Sequence, residues 1–326
     1  MKLYIDKENL LSLIGSRAQA PFEDCAKAMR CWLDVQYNFS KEEIKSNELL
    51  MSWFSRYGQG VMGEQDFVPE RKPEVFPPRP LKSNFYNIDI PKSLTAVYLL
   101  NDEHICTIVH QKSCVLVGKV GEEIPALSSL FLEDTEVPTS EISSWKDYCP
   151  SLPLTDIIIC DNHYFKDKYI YSKNDNELIK SLVNAPQNSP VNVVFFIKTG
   201  EVDRNINLEE EQKRVKELVK KATGSNKSTV TIVESYATHD RCLITNYYRI
   251  KHGSCFHLRD NSIKSDVTTE IKSHIRRKNE EISKHLISKF QNIIDNKAIC
   301  IGDKRSNFLS FALQITPCRC TILSRL

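Results

Sequence analysis

The sequence predicts an α/β fold: a C-terminal α/β sandwich with a mixed sheet, preceded by a smaller helical α/β part. Three observations lead there. The chain has 326 residues, enough for two domains at ~100–200 residues each. Hydrophobic residues make up 41% and charged residues 26%, the balance of a globular protein with a sizeable core. The C-terminal half alternates apolar runs of strand length with amphipathic helical stretches, in the order β-α-β-α-β-β-α.

In the N-terminal part, KLYID (2–6) reads as a short strand. Pro21–Phe39 and Lys41–Tyr57 read as helices, with Ala26, Met29, Trp32 and Leu33, then Leu49, Leu50, Trp53 and Phe54, at helical spacing. Trp32 and Trp53 are expected in the core. Val68–Pro91 carries six prolines and reads as a loop or linker. SLTAVYLL (93–100) and SCVLVGKV (113–120) read as strands, and a helix is expected from Glu122 to Leu130. The irregular stretch Thr135–Pro153 is the expected boundary, giving parts 1–150 and 151–326.

In the C-terminal part, DIIIC (156–160) reads as a buried strand, with a second strand at Lys168–Tyr171 and a helix at Asn174–Val183. VNVVFFIK, within Pro190–Lys198, reads as another buried strand. LEEEQKRVKELVKKA (208–222) is an amphipathic helix with Val215 and Leu218 on one face, and Gly224 follows as a C-cap glycine would. STVTIVE (228–234) is the next strand. Residues 239–258 read as two strands joined by a turn near Asn246, and Thr268–Asn296 as one long helix.

Charge divides unevenly. Residues 1–150 hold 16 Lys/Arg against 22 Asp/Glu, a net −6, while residues 151–326 hold 28 against 20, a net +8. The basic part suits an anionic partner such as nucleic acid. The acidic part suits a regulatory or protein-partner role. Eleven scattered cysteines without a C-x-x-C pair read as free thiols in a reducing compartment, with no metal site and no cofactor implied. No apolar run approaches a membrane span, and the first residues lack a signal-peptide pattern, so a cytoplasmic protein is expected. GKVGEE (118–123) lacks the spacing of a P-loop.

The segment starting at His239 reads H-D-R-C-L-I-T-N-Y-Y-R-I-K-H-G-S. Its spacing, H-x-R-x4-N-x6-G-S, resembles the H-x-K-x4-D-x6-G-S element of the phospholipase D superfamily. His239, Arg241, Asn246, Gly253 and Ser254 occupy the matching positions, with Arg in place of Lys and Asn in place of Asp. The resemblance covers about residues 154–260. It is similar also to the phospholipase D-like C-terminal domain of MIT-domain proteins, a branch regarded as binding rather than catalytic.

On a strand, residues two apart face the same way, so His239 and Arg241 would converge on one ligand. Arg241 could grip a phosphate with paired N–H bonds. Gly253 permits close backbone approach and Ser254 offers a hydroxyl. Asn246 has the opposite parity and reads as a turn-pinning residue. The resemblance implies His239 as a nucleophile forming a phosphohistidine, with a second histidine protonating the leaving group and no metal needed. The sequence carries one good half-motif. His110-Gln111-Lys112 has Val117 at the acidic position and no Gly-Ser, and His163-Tyr164-Phe165-Lys166 has the wrong spacing. A complete site would then be a homodimer, with His239 supplied twice across a two-fold axis.

The leading expectation is a phosphodiester-handling protein acting on or binding nucleic acid, and the resemblance implies a bacterial defence nuclease. Arg276, Arg277 and Lys278 are the candidate nucleic-acid contacts, salt-sensitive and sequence-independent. The alternative is a non-catalytic module that binds a phosphorylated ligand, a lipid headgroup or a protein. A second alternative lies in the N-terminal part, where Asp6 follows the first strand as in PIN-like nucleases. There Asp102, Glu103, Glu122, Glu123 and Asp134 could complete a Mg²⁺ or Mn²⁺ cluster.

Overall fold

The computed structural model describes residues 1–37, 41–57, 74–75, 96–99, 116–118, 120–121, 124–125, 134–149, 152, 154, 156–165, 177–183, 191–236, 241–253, 256, 267–296 and 298–302. The chain is a mixed α/β protein that divides into two units. One is Met1–Glu133 with Ser273–Glu280, and the other is Asp134–Lys272 with Glu281–Leu326.

The first unit is built on a five-stranded sheet in which every pair is parallel. Its strands are β1 (Lys2–Ile5), β2 (Asp34–Tyr37), β3 (Glu74–Val75), β4 (Ala96–Leu99) and β5 (Leu116–Gly118), in the order β3-β2-β1-β4-β5. β1 lies at the centre, with Leu3 and Ile5 buried. Helix α1 (Lys7–Ser16) starts at once, because the Asp6 carboxylate caps the Asn9 backbone N–H at 2.9 Å. Its Leu10, Leu13 and Ile14 form the buried stripe of an amphipathic helix.

Two expected helices are shorter or broken. Helix α2 ends at Cys31 (Phe22–Cys31), and β2 takes over within the stretch expected as one helix from Pro21 to Phe39. Leu33, Val35 and Tyr37 are all buried with a period of two, and parallel pairing of β2 with β1 overrides helix propensity there. The expected helix Lys41–Tyr57 is two, α3 (Lys41–Lys45) and α4 (Glu48–Tyr57). Asn47 restarts it by accepting the Leu50 N–H on its side chain at 3.1 Å, competing with the continuing helix as a capping residue does. Trp53 is core, its indole N–H donating to the Tyr37 hydroxyl at 3.4 Å. Trp32 is half-buried, with the Arg276 guanidinium 4.7 Å from its ring centroid.

The second unit holds an eight-stranded mixed sheet of order β13-β9-β8-β7-β10-β11-β12-β6. The strands are β6 (Thr135–Pro138), β7 (Asp156–Cys160), β8 (Asn192–Lys198), β9 (Thr229–Ser235), β10 (Cys242–Thr245), β11 (Tyr248–His252), β12 (Thr268–Ser273) and β13 (Ile299–Gly302). β7, β8 and β9 are parallel, and every residue of DIIIC is buried, as a strand covered on both faces requires. The β8–β9 crossover is helix α5 (Leu208–Thr223). Asn207 caps its start through the Glu209 and Glu210 N–H groups, and Gly224 ends it in the left-handed conformation at φ 69°. Val215 and Val219 face the core.

Residues 135–153, expected as an irregular boundary, include β6 and two short 3-10 turns, and they belong to this second unit. The long helix expected over Thr268–Asn296 is also shorter. Thr268–Ser273 is strand β12, paired antiparallel with β6, and helix α6 runs from Arg277 to Asp295. Strand pairing decided this, since Thr268 and Thr269 are β-branched residues that fit a pleated surface. On the stretch of α6 that belongs to the second unit, Ile287, Phe290 and Ile294 are buried, and Phe290 stacks on Phe196 with ring centroids 4.5 Å apart.

Candidate functional site

The sheet topology of the second unit gathers five chain ends on one edge. β7, β8 and β9 run parallel and finish there. β10 runs against β7 and therefore starts there, and β11 runs against β10 and finishes there. The register fixes neighbours: Cys242 lies opposite Cys160 on one side and Lys251 on the other, and Cys160 lies beside Phe196. Carboxyl ends of parallel strands are where open α/β sheets place ligand groups.

Arg241 directly precedes β10 on this edge. Its Nη1 donates to the Gly253 carbonyl at 3.0 Å, and its own carbonyl accepts the His252 N–H at 3.2 Å. Gly253 is required by space. A Cβ there would overlap the Val267 Cγ1 methyl and lie 3.2 Å from the Thr268 carbonyl oxygen. A guanidinium has five N–H donors, so one bond to Gly253 leaves others to an anion.

One carboxylate organises the surroundings. Asp161 follows β7 and is fully buried. Its Oδ1 accepts the His163 backbone N–H at 3.0 Å and its Oδ2 the Phe256 backbone N–H at 2.8 Å. The Phe256 carbonyl in turn accepts the Trp145 indole N–H at 2.9 Å. The Phe256 residue, three positions past Gly253, is thus held at both its amide nitrogen and its carbonyl. His252 completes the packing, with Nδ1 2.7 Å from Thr269 Oγ1 and its ring against Trp145 and Phe256.

A second histidine stands on the same edge. His163 lies in the turn after β7, and its Nδ1 is 3.6 Å from Glu201 Oε2 in the loop after β8. At 3.6 Å the contact is too long for a hydrogen bond and is an ion pair only when the imidazole is protonated. Lys198 Nζ sits 3.7 Å from the other oxygen of Glu201. The Asp203 N–H donates to the Phe165 carbonyl at 3.3 Å, tying the two loops together.

Of the residues expected from the motif, the structure brings Arg241 and Gly253 together. His239 and Ser254 lie outside the described residues. Asn246 is at the other end of β10, five strand steps or about 17 Å from Arg241. It is fully buried there and its Oδ1 accepts the Asp156 N–H at 3.1 Å, joining the β10–β11 turn to the start of β7. Asn246 therefore supports the hairpin and does not share the Arg241 edge. Arg276, Arg277 and Lys278 belong to the first unit, where Arg276 covers Trp32 and its carbonyl accepts the N–H groups of Asn279 and Glu280. Motif reading missed Asp161 and Glu201 and set His163 aside for its spacing. The signal for Asp161 was an acidic residue directly after an apolar strand run.

In the first unit, Asp6 stands at the carboxyl end of β1, and its N–H donates to the Leu99 carbonyl of β4 at 3.1 Å. Strand order reverses between β1 and β4, the switch point of a doubly wound sheet. Buried Asn9 donates to Asp6 Oδ1 at 3.1 Å and accepts the Val120 N–H at 3.0 Å. Asp102, Glu103, Glu122 and Glu123 lie outside the described residues. Asp134 belongs to the second unit, 3.9 Å from Lys272 Nζ. Among the described residues no group of three His, Cys, Asp or Glu side chains could hold a metal ion, and no helix is long and apolar enough to cross a membrane.

No family model and no curated protein matches the chain. Among solved structures it is similar to TrmBL2, an archaeal chromatin protein described as having a novel mode of DNA binding. Identity is 15%, the match covers 60% of this chain and 64% of that one, and the TM-score is 0.28. The match thus spans less than two thirds of that protein, and at this TM-score it fixes neither fold nor function.

Proposed function

We propose that the second unit is a phospholipase D-like phosphodiesterase acting on nucleic acid. His239 is its nucleophile, and Arg241 and Ser254 are its phosphate ligands. The observation that carries this reading is the Arg241–Gly253 hydrogen bond, which joins the two ends of the half-motif across the β10–β11 hairpin. Its place at the carboxyl ends of β7, β8 and β9 supports the same reading. The second unit carries 26 Lys/Arg against 23 Asp/Glu, a net +3 compatible with an anionic substrate. The test is cleavage of single- and double-stranded DNA and RNA in excess EDTA. Cleavage that survives EDTA and is lost in His239→Ala supports histidine chemistry. Salt-sensitive binding without cleavage reduces the unit to a binding module.

A second reading rests on Asp6, which sits at the switch point of the parallel sheet in the first unit. It is a metal-dependent nuclease of PIN-like kind. Cleavage that requires Mg²⁺ or Mn²⁺ and is lost in Asp6→Asn supports it.

A further inference from the structure

We propose that Tyr236 is a base-stacking platform on the Arg241 edge, so that the ligand of this edge is single-stranded nucleic acid, held by a phosphate at Arg241 and by an unpaired base on the Tyr236 ring. The inference rests on the reading above, in which Arg241 takes a nucleic-acid phosphate, and it names the form of nucleic acid that fits. Tyr236 directly follows β9 and is 77% exposed, more than any other large apolar residue among those described. It has no hydrogen-bond or ring partner among the described residues. A single exposed tyrosine is ordinary on a protein surface. Its place in the sheet is what distinguishes it.

The register puts Tyr236 and Arg241 on one face of the sheet. Cys160 pairs with Cys242, so Asp161 stands opposite Arg241. Cys160 lies beside Phe196, so Asp161 lies beside Ile197, and Ile197 pairs with Glu234. Arg241, Asp161, Ile197 and Glu234 therefore form one row, and Tyr236, two residues past Glu234, has the same parity. Pairing continues past the strand ends, so the alternation holds there. The Thr199 N–H donates to the Ser235 carbonyl at 3.1 Å, the Asp161 N–H to the Phe196 carbonyl at 3.0 Å, and the His252 N–H to the Arg241 carbonyl at 3.2 Å. Three strand spacings across the sheet and two residue steps along it separate the Tyr236 and Arg241 Cα atoms by about 16 Å. Chain length agrees, since the five residue steps from Tyr236 to Arg241 reach at most ~18 Å.

That separation is a few nucleotides of single strand, inside the ~4–16-nucleotide footprint of single-strand grooves. At one end Arg241 keeps N–H donors beyond its bond to Gly253. At the other the phenol ring offers a surface on which any base can stack, without sequence preference. Lys198 lies between them at the end of β8, its Nζ 3.7 Å from Glu201 Oε1. A duplex gains nothing from Tyr236, because its bases are already stacked and paired, and freeing one costs energy. Tyr236 is thus a binding residue that selects unpaired strands.

Ligands that differ only in their bases test this. Oligothymidylate, an abasic oligonucleotide with the same phosphates, and a duplex of the same length are titrated into wild type, Tyr236→Ala, Tyr236→Phe and Arg241→Ala. All titrations share one salt concentration in EDTA, and circular dichroism verifies folding. Wild type should bind oligothymidylate ~5- to 150-fold more tightly than the abasic strand, the worth of one stacked base. Tyr236→Ala should lose that factor on oligothymidylate and keep wild-type affinity for the abasic strand and the duplex. Tyr236→Phe keeps the ring and should bind as wild type does. Arg241→Ala should weaken oligothymidylate and the abasic strand alike, because it removes a phosphate contact. Oligothymidylate affinity unchanged in Tyr236→Ala, or a loss equal on all ligands, overturns the stacking role while leaving the reading of Arg241 intact. A wild type that binds none of the ligands overturns that reading, and this inference with it.

Discussion

Asp161 Oδ2 accepts the backbone N–H of Phe256 at 2.8 Å, across 95 positions of sequence. That bond connects the end of β7 to the chain just past Gly253, and the Trp145 indole holds the same residue from its carbonyl side. Asp161→Asn keeps the size but offers one acceptor oxygen where two N–H groups need one each. Leaving a buried N–H unsatisfied costs about 1–3 kcal/mol. We expect a melting temperature lower by roughly 2–12 °C, at ~2–4 °C per kcal/mol for a unit of this size. Thermal unfolding followed by circular dichroism measures it, and an unchanged melting temperature would remove Asp161 from this role.

Gly253→Ala should destabilise by about 1–3 kcal/mol, because the new methyl overlaps Val267 Cγ1. Val267→Ala removes that methyl and should recover most of the loss in the double variant. Urea unfolding of the two single variants and the double gives the coupling. Additive losses would mean that Gly253 is needed for something other than room.

Stability should fall in alkali. Burial pushes the Cys149 thiol from 9.0 up to about 12, and the buried Tyr248 hydroxyl lies well above its ordinary value, chiefly for the same reason. Above pH 9 the unfolded chain has lost the thiol proton that the folded chain keeps. The unfolded state then binds fewer protons, and unfolding free energy declines with rising pH. The Cys149 contribution amounts to about 1.4 kcal/mol per pH unit between roughly pH 9 and 12. Urea midpoints from pH 7 to 10.5 should stay flat and then drop, and Cys149→Ala should reduce the slope. A slope unchanged in Cys149→Ala contradicts the account.

Local signals in the sequence were legible where one element decides its own state. DIIIC, VVFFIK and TVTIVE are strands, the LEEEQKRVKELVKKA helix stops at Gly224, and the turn near Asn246 joins β10 to β11. Short segments that serve a sheet from its neighbours' side were not. Residues 34–37 and 268–273 continue a helical-looking pattern, and only their pairing with β1 and β6 makes them strands. The site divides the same way. Arg241 and Gly253 belong to one hairpin, so their spacing exposed them. Asp161, His163 and Glu201 come together through the β8-β7-β10 register, a non-local arrangement that no linear spacing encodes.

On the proposed function, Arg241 binds a nucleic-acid phosphate at the edge formed by β7, β10 and β11. The direct measurement is the affinity of a fluorescent single-stranded oligonucleotide for wild type, Arg241→Lys and Arg241→Ala across a salt series. A charged hydrogen bond is worth about 1.5–3 kcal/mol, so Arg241→Ala should weaken binding roughly 10- to 150-fold and flatten the salt dependence by about one phosphate contact. Arg241→Lys keeps the charge without the planar fork and should fall between the two. Equal affinity for wild type and Arg241→Ala at every salt concentration, with the wild type bound, would contradict the claim.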